Sequence, residues 1–235
     1  MIRENAVPRD MDGVVVIDKP KGVTSHDVVS RVKRRLNASK VGHLGTLDPN
    51  ATGVLPLVIN RATRFAGFLF GDTKEYIAWA KLGETTDTYD VQGKVLERRH
   101  VLVSRPDIER ALEGFRGRIT QIPPMYSAVK KGGTPLYKLA RKGIIVERSP
   151  KEVEVFDLEL MECNPPMVVF RVVCSAGTYI RTICHDLGEA LGCGAYLDNL
   201  KRTRSGPFVI DEAVSPESID LAKGIIPLEK VFERS

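Results

Sequence analysis

The residues best equipped for chemistry lie in GHLGTLDPNATG, residues 42–53, where Asp48 stands between Leu47 and Pro49. A carboxylate that acts as nucleophile or base needs a fixed backbone, partial burial and a defined partner. Pro49 confines Asp48 to extended or turn backbone, the glycines let another backbone or a phosphate approach closely, and Leu47, Val54 and Leu55 can bury the surroundings. The plainer reading is a carboxylate that organises its own turn through an Asx-type hydrogen bond, and composition alone favours it. A second group, CSAGTYIRTICHD, places Tyr179 and Arg181 two residues apart where a strand gives way to a helix. A planar guanidinium forks onto a carboxylate and cannot deprotonate. Paired with Asp48, Arg181 would keep it ionised against the desolvation that raises a carboxyl above its ordinary value of about 3.9. Spacing alone fits a surface arginine equally well.

Other chemistries find less support. Cys184 beside His185 is a single adjacent pair, whereas zinc sites use two closely spaced pairs, so no metal is expected. Ser127-Ala-Val-Lys130 fits the S-x-x-K pattern of some serine hydrolases, without their companion motifs. The four cysteines form no C-x-x-C pair, and no signal peptide or long apolar run is present, which points to a reducing cytoplasm and no membrane.

The elements that must position these residues can be read from periodicity. The apolar run GVVVIDK is a buried strand after a polar arm at residues 1–12. In TSHDVVSRVKRRL, Val28, Val29, Val32 and Leu36 recur at helical spacing, and Thr24 with Asp27 resembles a capping box. Residues 41–60 carry too many glycines and prolines for a helix and read as a structured loop that ends in the strand VLPLVI. A strand over 75–82 places Tyr76, Ala78, Ala80 and Leu82 on one face, before a polar turn with Asp87 and Asp90. A helix over 106–115 follows, then VEVFDLELMEC and MVVFRVVC as an antiparallel pair, then a helix carrying Ile180, Ile183, Leu187 and Leu191. Mixed antiparallel strands with interspersed helices predict an α+β or mixed α/β fold. At 235 residues, one large domain over 13–235 is expected.

Lys and Arg total 35 against 30 Asp and Glu, an excess that suits an anionic partner without naming one. Its distribution is more informative. Lys130, Lys131, Lys138, Arg141 and Lys142 gather in a Gly/Pro-marked segment, residues 116–149, with one short helix over 136–141 and no core stripe. That segment reads as an insertion. Lys201, Arg202 and Arg204 form a second cluster, and solvated surface is the plain reading of both.

The blocks DKPKGVTSHDVV, GHLGTLDPNATGVLPL, KEYIAWAKLGETTDTYDVQG, QIPPMYSAVKKGGTPLYKLARKG and CSAGTYIRTICHDLGEALGCGAYLDNLKRTRSG resemble, in order, the motifs of TruB-type tRNA pseudouridine synthases. The resemblance runs from about Gly13 to Phe208, and it implies the pseudouridine-synthase fold with a central, largely antiparallel sheet. It also implies that the uridine at position 55, in the T-stem-loop of tRNA, is isomerised without cofactor by a stand-alone enzyme, expected to be a monomer needing no protein partner. Asp48 would be the catalytic aspartate, Arg181 its ion-pair partner, and Tyr76 the aromatic residue against the base and the family's favoured acceptor of the C5 proton. Tyr179 and Leu200 would line the uracil pocket, and His43 would help hold the flipped-out loop. Lys19 and Pro20 would support the site from the end of a strand. The segment 116–149 resembles the family's RNA-gripping thumb, which turns Lys130 and Lys131 from solvated surface into phosphate contacts. Relatives usually carry a further small PUA-type domain, and no complete one is expected after the catalytic body here.

Pseudouridine formation breaks the bond from C1′ of ribose to N1 of uracil, turns the base and joins C1′ to C5. A carboxylate can attack the sugar, attack the base or take the 2′ proton, and sequence leaves all three open. Two further readings stand beside this one: a guide-RNA-dependent synthase, against which the long insertion argues, and a non-catalytic RNA-binding module on the same scaffold.

Overall fold

A computed structural model describes residues 12–69, 73–219 and 224–234. The expected N-terminal arm lies outside them except for Asp12, whose carboxylate accepts from the Arg61 backbone N–H at 2.7 Å and from its Nε at 2.5 Å. The chain forms two compact units, one from residues up to 76 and from 200 onward, the other from residues 77 to 199. The first begins with β1 (Gly13–Lys19), α1 (Ser25–Arg35), β2 (Val41–His43), β3 (Thr52–Ile59), α2 (Ala66–Leu69) and the start of β4 (Thr73–Leu82). The second holds the rest of β4, β5 (Glu84–Thr86), β6 (Val95–Arg98), α3 (Arg105–Glu113), β7 (Gly117–Gln121), β8 (Lys130–Lys131), β9 (Thr134–Pro135) and α4 (Leu136–Ala140). It continues through β10 (Lys151–Asn164), β11 (Met167–Ser175), α5 (Ile180–Ala190) and the first half of β12 (Ala195–Ser205). The remainder of β12, then β13 (Phe208–Val209), β14 (Ile225–Pro227) and α6 (Leu228–Phe232), return to the first unit.

In the first unit β1 and β3 are antiparallel from Gly13↔Ile59 to Lys19↔Gly53. Their β-branched, almost unbroken apolar runs suit strands covered on both faces, and Asp18 alone in β1 is exposed. β14 borders β1, and the other edge of β3 takes β2 at its far end and β12, in parallel, at its start. Val14, Val16, Leu44, Val54, Val58, Phe208 and Val231 form the core here. Helix α1 has the expected capping box: the Thr24 N–H donates to Asp27 at 2.9 Å and the Asp27 N–H to Thr24 Oγ1 at 3.1 Å. Val28, Val29, Val32 and Leu36 are buried as the spacing predicts; each such side chain contributes on the order of 1.5–3 kcal/mol.

In the second unit β10 and β11 form the predicted antiparallel pair, with register shifts after Val155 and after Leu160. The segment read as an insertion starts inside this sheet, since β7 pairs with β10 from Gly117↔Val155 to Gln121↔Lys151. Helix α5 buries Ile180, Ile183 and Leu187. Helix α3 starts one residue earlier than the sequence suggests and stops two earlier, at Glu113. Antiparallel pairs together with the parallel β3–β12 pair, and helices among them, make the mixed α+β class that the periodicity predicts.

Two regions differ from expectation. Residues 41–60 are less loop than predicted, because the strand begins at Thr52 rather than Val54 and Val41–His43 is itself a strand. Gly53 is what permits the early start. At φ +98° a Cβ there would fall on the carbonyl oxygen of Arg202, so only glycine fits between β3 and β12. Arg202, grouped with surface charges by its neighbours in sequence, is buried at 1% exposure.

Candidate active site

In the first unit Asp48 occupies an irregular loop between β2 and β3, with its side chain half-buried and Leu47 beside it buried. Few backbone ladders pass through this loop, so side chains from elsewhere fix it. Ser25, at the start of α1, donates its hydroxyl to the Leu47 carbonyl at 3.0 Å and accepts from the Leu47 N–H at 2.9 Å. Lys19, at 0% exposure, spreads its ammonium over the carbonyls of Pro20, Val23 and Pro49, the last at 3.1 Å. The Gly22 N–H also reaches the Pro49 carbonyl, at 2.8 Å. Arg202 closes the loop at its two ends, donating Nε to the Val54 carbonyl at 2.7 Å and Nη2 to the Gly45 carbonyl at 3.1 Å.

Electrostatics in this cradle follow from the same burial. Removal from water lowers the Lys19 ammonium to about 8, Asp48 opposes that shift and Arg202 adds to it. The attraction between Lys19 and Asp48 is mutual, so protonated Lys19 favours an ionised Asp48 carboxylate. His43, in β2, is pushed below its ordinary value by burial first, then by the Arg202 and His26 charges, which favours the neutral imidazole. Its Nδ1 is buried without a hydrogen-bond partner. Tyr76 and Leu200 are also buried in this unit, Tyr76 on the inward face of β4 and Leu200 where β12 enters. The neighbouring Glu75 accepts from Thr203 Oγ1 at 2.6 Å. Lys19, Pro20, His43, Asp48, Tyr76 and Leu200 therefore all belong to the first unit.

Tyr179, Arg181, Lys130 and Lys131 belong to the second. Arg181, at 5% exposure, donates to the Tyr126 carbonyl at 2.9 Å and the Thr88 carbonyl at 3.4 Å, and lies 3.6 Å from Asp90. Asp90 in turn accepts from Thr88 Oγ1 at 2.6 Å and from the Gln92 N–H at 3.0 Å. Sequence reasoning left Asp90 as a turn residue, because TTDTYDVQG has turn composition throughout. The odd signal is Tyr89, a bulky residue held at φ +63° with its ring stacked 3.9 Å from that of His185. Tyr179 is the N-cap of α5 and has no capping bond from its own side chain. Its backbone is held instead by the Gln121 amide, which accepts from the Tyr179 N–H at 2.9 Å and donates to the Tyr179 carbonyl at 3.2 Å.

Lys130 and Lys131 form one strand of a two-residue hairpin, β8–β9, and both are exposed together with Lys138, Arg141 and Lys142. On this surface Lys131 Nζ donates to the Glu147 carbonyl at 2.6 Å, and the Arg141 guanidinium lies 5.5 Å from the Tyr137 ring. Cys184 is buried, its thiol pushed up by desolvation. Among the described residues no cluster of His, Cys, Asp and Glu is arranged to hold a metal, and no helix is long and apolar enough to cross a membrane.

Residues 33–180 match the profile of the TruB family pseudouridylate synthase N-terminal domain, and residues 181–231 that of the tRNA pseudouridylate synthase B C-terminal domain. The tRNA pseudouridine synthase B of Pseudomonas syringae pv. syringae is 50% identical over 94% of this chain and 72% of its own length. That of Haemophilus influenzae is 47% identical over 95% of this chain and 73% of its own. Among solved structures, a Cbf5-Nop10-Gar1 complex contains a chain that aligns with a TM-score of 0.74 at 35% identity, over 94% of this chain and 62% of that one.

Proposed function

The chain belongs to the TruB family of pseudouridylate synthases, and from that premise we propose that it isomerises the T-loop uridine at position 55 of tRNA with Asp48 as its catalytic carboxylate. It is an isomerase that turns uridine in tRNA into pseudouridine. The observation that carries the role of Asp48 is its cradle. A loop fixed by Ser25, Lys19 and Arg202 holds one carboxylate at the edge of a buried region, beside a buried ammonium that favours its ionised form. Preorganised charge of this kind needs no reorganisation when the substrate's own charge develops. The C1′–N1 bond breaks, the base turns, C1′ joins C5, C5 gives up its proton and N1 gains one. A single fixed carboxylate serves whether it adds to the sugar, adds to the base or removes the 2′ proton.

Lys19 has no donor left for substrate once its carbonyls are counted, so its part is to hold the loop and the charge of Asp48. Tyr76, Leu200 and Tyr179 take the uracil ring, with Tyr76 accepting the C5 proton, and His43 helps hold the flipped-out loop. Arg181 is the ion-pair partner of Asp48, a role that rests on the sequence resemblance. Flipping the target base costs a few kcal/mol, and thumb contacts from Lys130 and Lys131 to phosphates offset it. The enzyme acts alone, as a monomer in the cytoplasm, with the catalytic body over 13–235 and the thumb over 116–149.

The test is to incubate the chain, without guide RNA or any other protein, with an unmodified tRNA transcript and map pseudouridine by carbodiimide modification and primer extension. A single stop marking position 55 is expected. Conversion only after a guide RNA or partner protein is added would contradict the stand-alone reading, and conversion elsewhere would contradict the T-loop assignment.

A further inference from the structure

Gln121 is the last residue of β7 and the point from which the chain leaves the sheet for the thumb. A side chain there would ordinarily be expected to pack or to face water. This one is 2% exposed and spends both halves of its amide on one backbone position 58 residues away, the N–H and C=O of Tyr179. Tyr179 caps α5, and Arg181 follows in the first turn of that helix. The next stretch of the thumb root is tied to the same helix end, because the Tyr126 carbonyl accepts from Arg181 at 2.9 Å. The residues between are Ile122, two buried prolines at 123 and 124, and Met125, and proline restricts the backbone that links the two ties.

We propose that Gln121 is a positioning residue for the isomerisation: by clamping the Tyr179 backbone it sets the start of α5, and with it the placement of the Tyr179 ring and the Arg181 guanidinium. A hydrophobic residue of equal size would fill the space and leave the Tyr179 N–H unpaired in a half-buried setting. An unpaired N–H there is costly, so the helix start would move or fray to find another acceptor. The thumb and the catalytic helix thus share one anchor, and the clamp serves both without touching RNA. The activity arm rests on the pseudouridine synthase reading, and the exchange arm on the Gln121–Tyr179 hydrogen bonds alone.

Gln121→Met keeps the volume and removes both hydrogen bonds. Single-turnover pseudouridine formation is expected to fall roughly tenfold, the loss that two ordinary hydrogen bonds imply, while the Kd for tRNA changes less than about twofold. Amide hydrogen exchange over residues 177–183 should speed up by about tenfold, with residues 128–135 unchanged. Gln121→Glu, which retains the acceptor and loses the donor, should fall between the two, and it carries the same test should the Met variant fail to fold. Wild-type rate and exchange in Gln121→Met would overturn the proposal, as would a rate loss matched by an equal loss of tRNA affinity. An inactive wild type would count against the function assigned to the protein, and exchange would still decide the clamp.

Discussion

The Asp48 loop and the thumb are both poor in regular structure, yet they are held in opposite ways. The loop is short of ladder hydrogen bonds but receives three buried polar side chains, each from a different element: Lys19 from the end of β1, Ser25 from α1 and Arg202 from β12. The thumb tip has the opposite economy. Its basic residues are exposed, its hairpin is two residues to a strand, and the contacts of Lys131 and Arg141 stay within the tip. A carboxylate that must meet one atom needs a fixed seat. If the thumb lysines follow phosphates as proposed, they gain from freedom, because each neutralised phosphate adds affinity without demanding one geometry. The thumb root, from Gln121 to Tyr126, shares the loop's manner of construction.

That contrast can be broken or sharpened by substitution. Arg202→Met should have the largest effect on folding, about 3 kcal/mol in urea unfolding, because the Val54 and Gly45 carbonyls lose a charged donor inside the core. Gly53→Ala should follow at about 2 kcal/mol, since its Cβ meets the Arg202 carbonyl at a backbone angle alanine rarely adopts. A cost under half a kcal/mol for either would mean that the loop is held less tightly than the hydrogen bonds imply.

Lys19 provides a pH test of the same cradle. It titrates near 8 in the folded protein and near 10.5 in the unfolded chain, so between those values the unfolded chain binds more protons. Stability from this group therefore rises with pH across that window and is flat below it. Stability of the wild type measured against Lys19→Met should climb from pH 8 toward 10.5, and a flat difference would place Lys19 in a wetter site. The thumb should be least sensitive in stability. Replacing Lys130, Lys131 and Lys142 with Ala should change unfolding by less than about 0.5 kcal/mol, yet weaken tRNA binding and reduce its salt slope by about 2 to 3. Unchanged tRNA binding would return those lysines to solvated surface.

How far the sequence could be read depended on the range of the contacts. Thr24 and Asp27 announce α1 because a capping box is written within four residues, and Ile180, Ile183 and Leu187 announce α5 because their spacing is local. Arg202 gave no such signal: KRTRS looks like surface until β12 lies parallel to β3 and its guanidinium meets carbonyls some 150 residues away. β12 itself was hidden by those same charges. Gln121 and Asp90 were missed for the same reason, since an amide at the end of a strand and an acid in a turn acquire meaning only from Tyr179 and Arg181. Asp48 was visible as a residue, and composition favoured a turn; the ordered family motifs pointed past that reading, and the cradle supplies its physical support.

The role of Asp48 is tested most directly by Asp48→Asn, with tritium at C5 of uridine in an unmodified tRNA transcript. The substitution keeps size and the surrounding carbonyl anchors while removing the charge. Tritium release should drop to background while the Kd for tRNA stays within about twofold of wild type, as expected for a group that acts on the reaction rather than on binding. Release at the wild-type rate from Asp48→Asn would contradict the account.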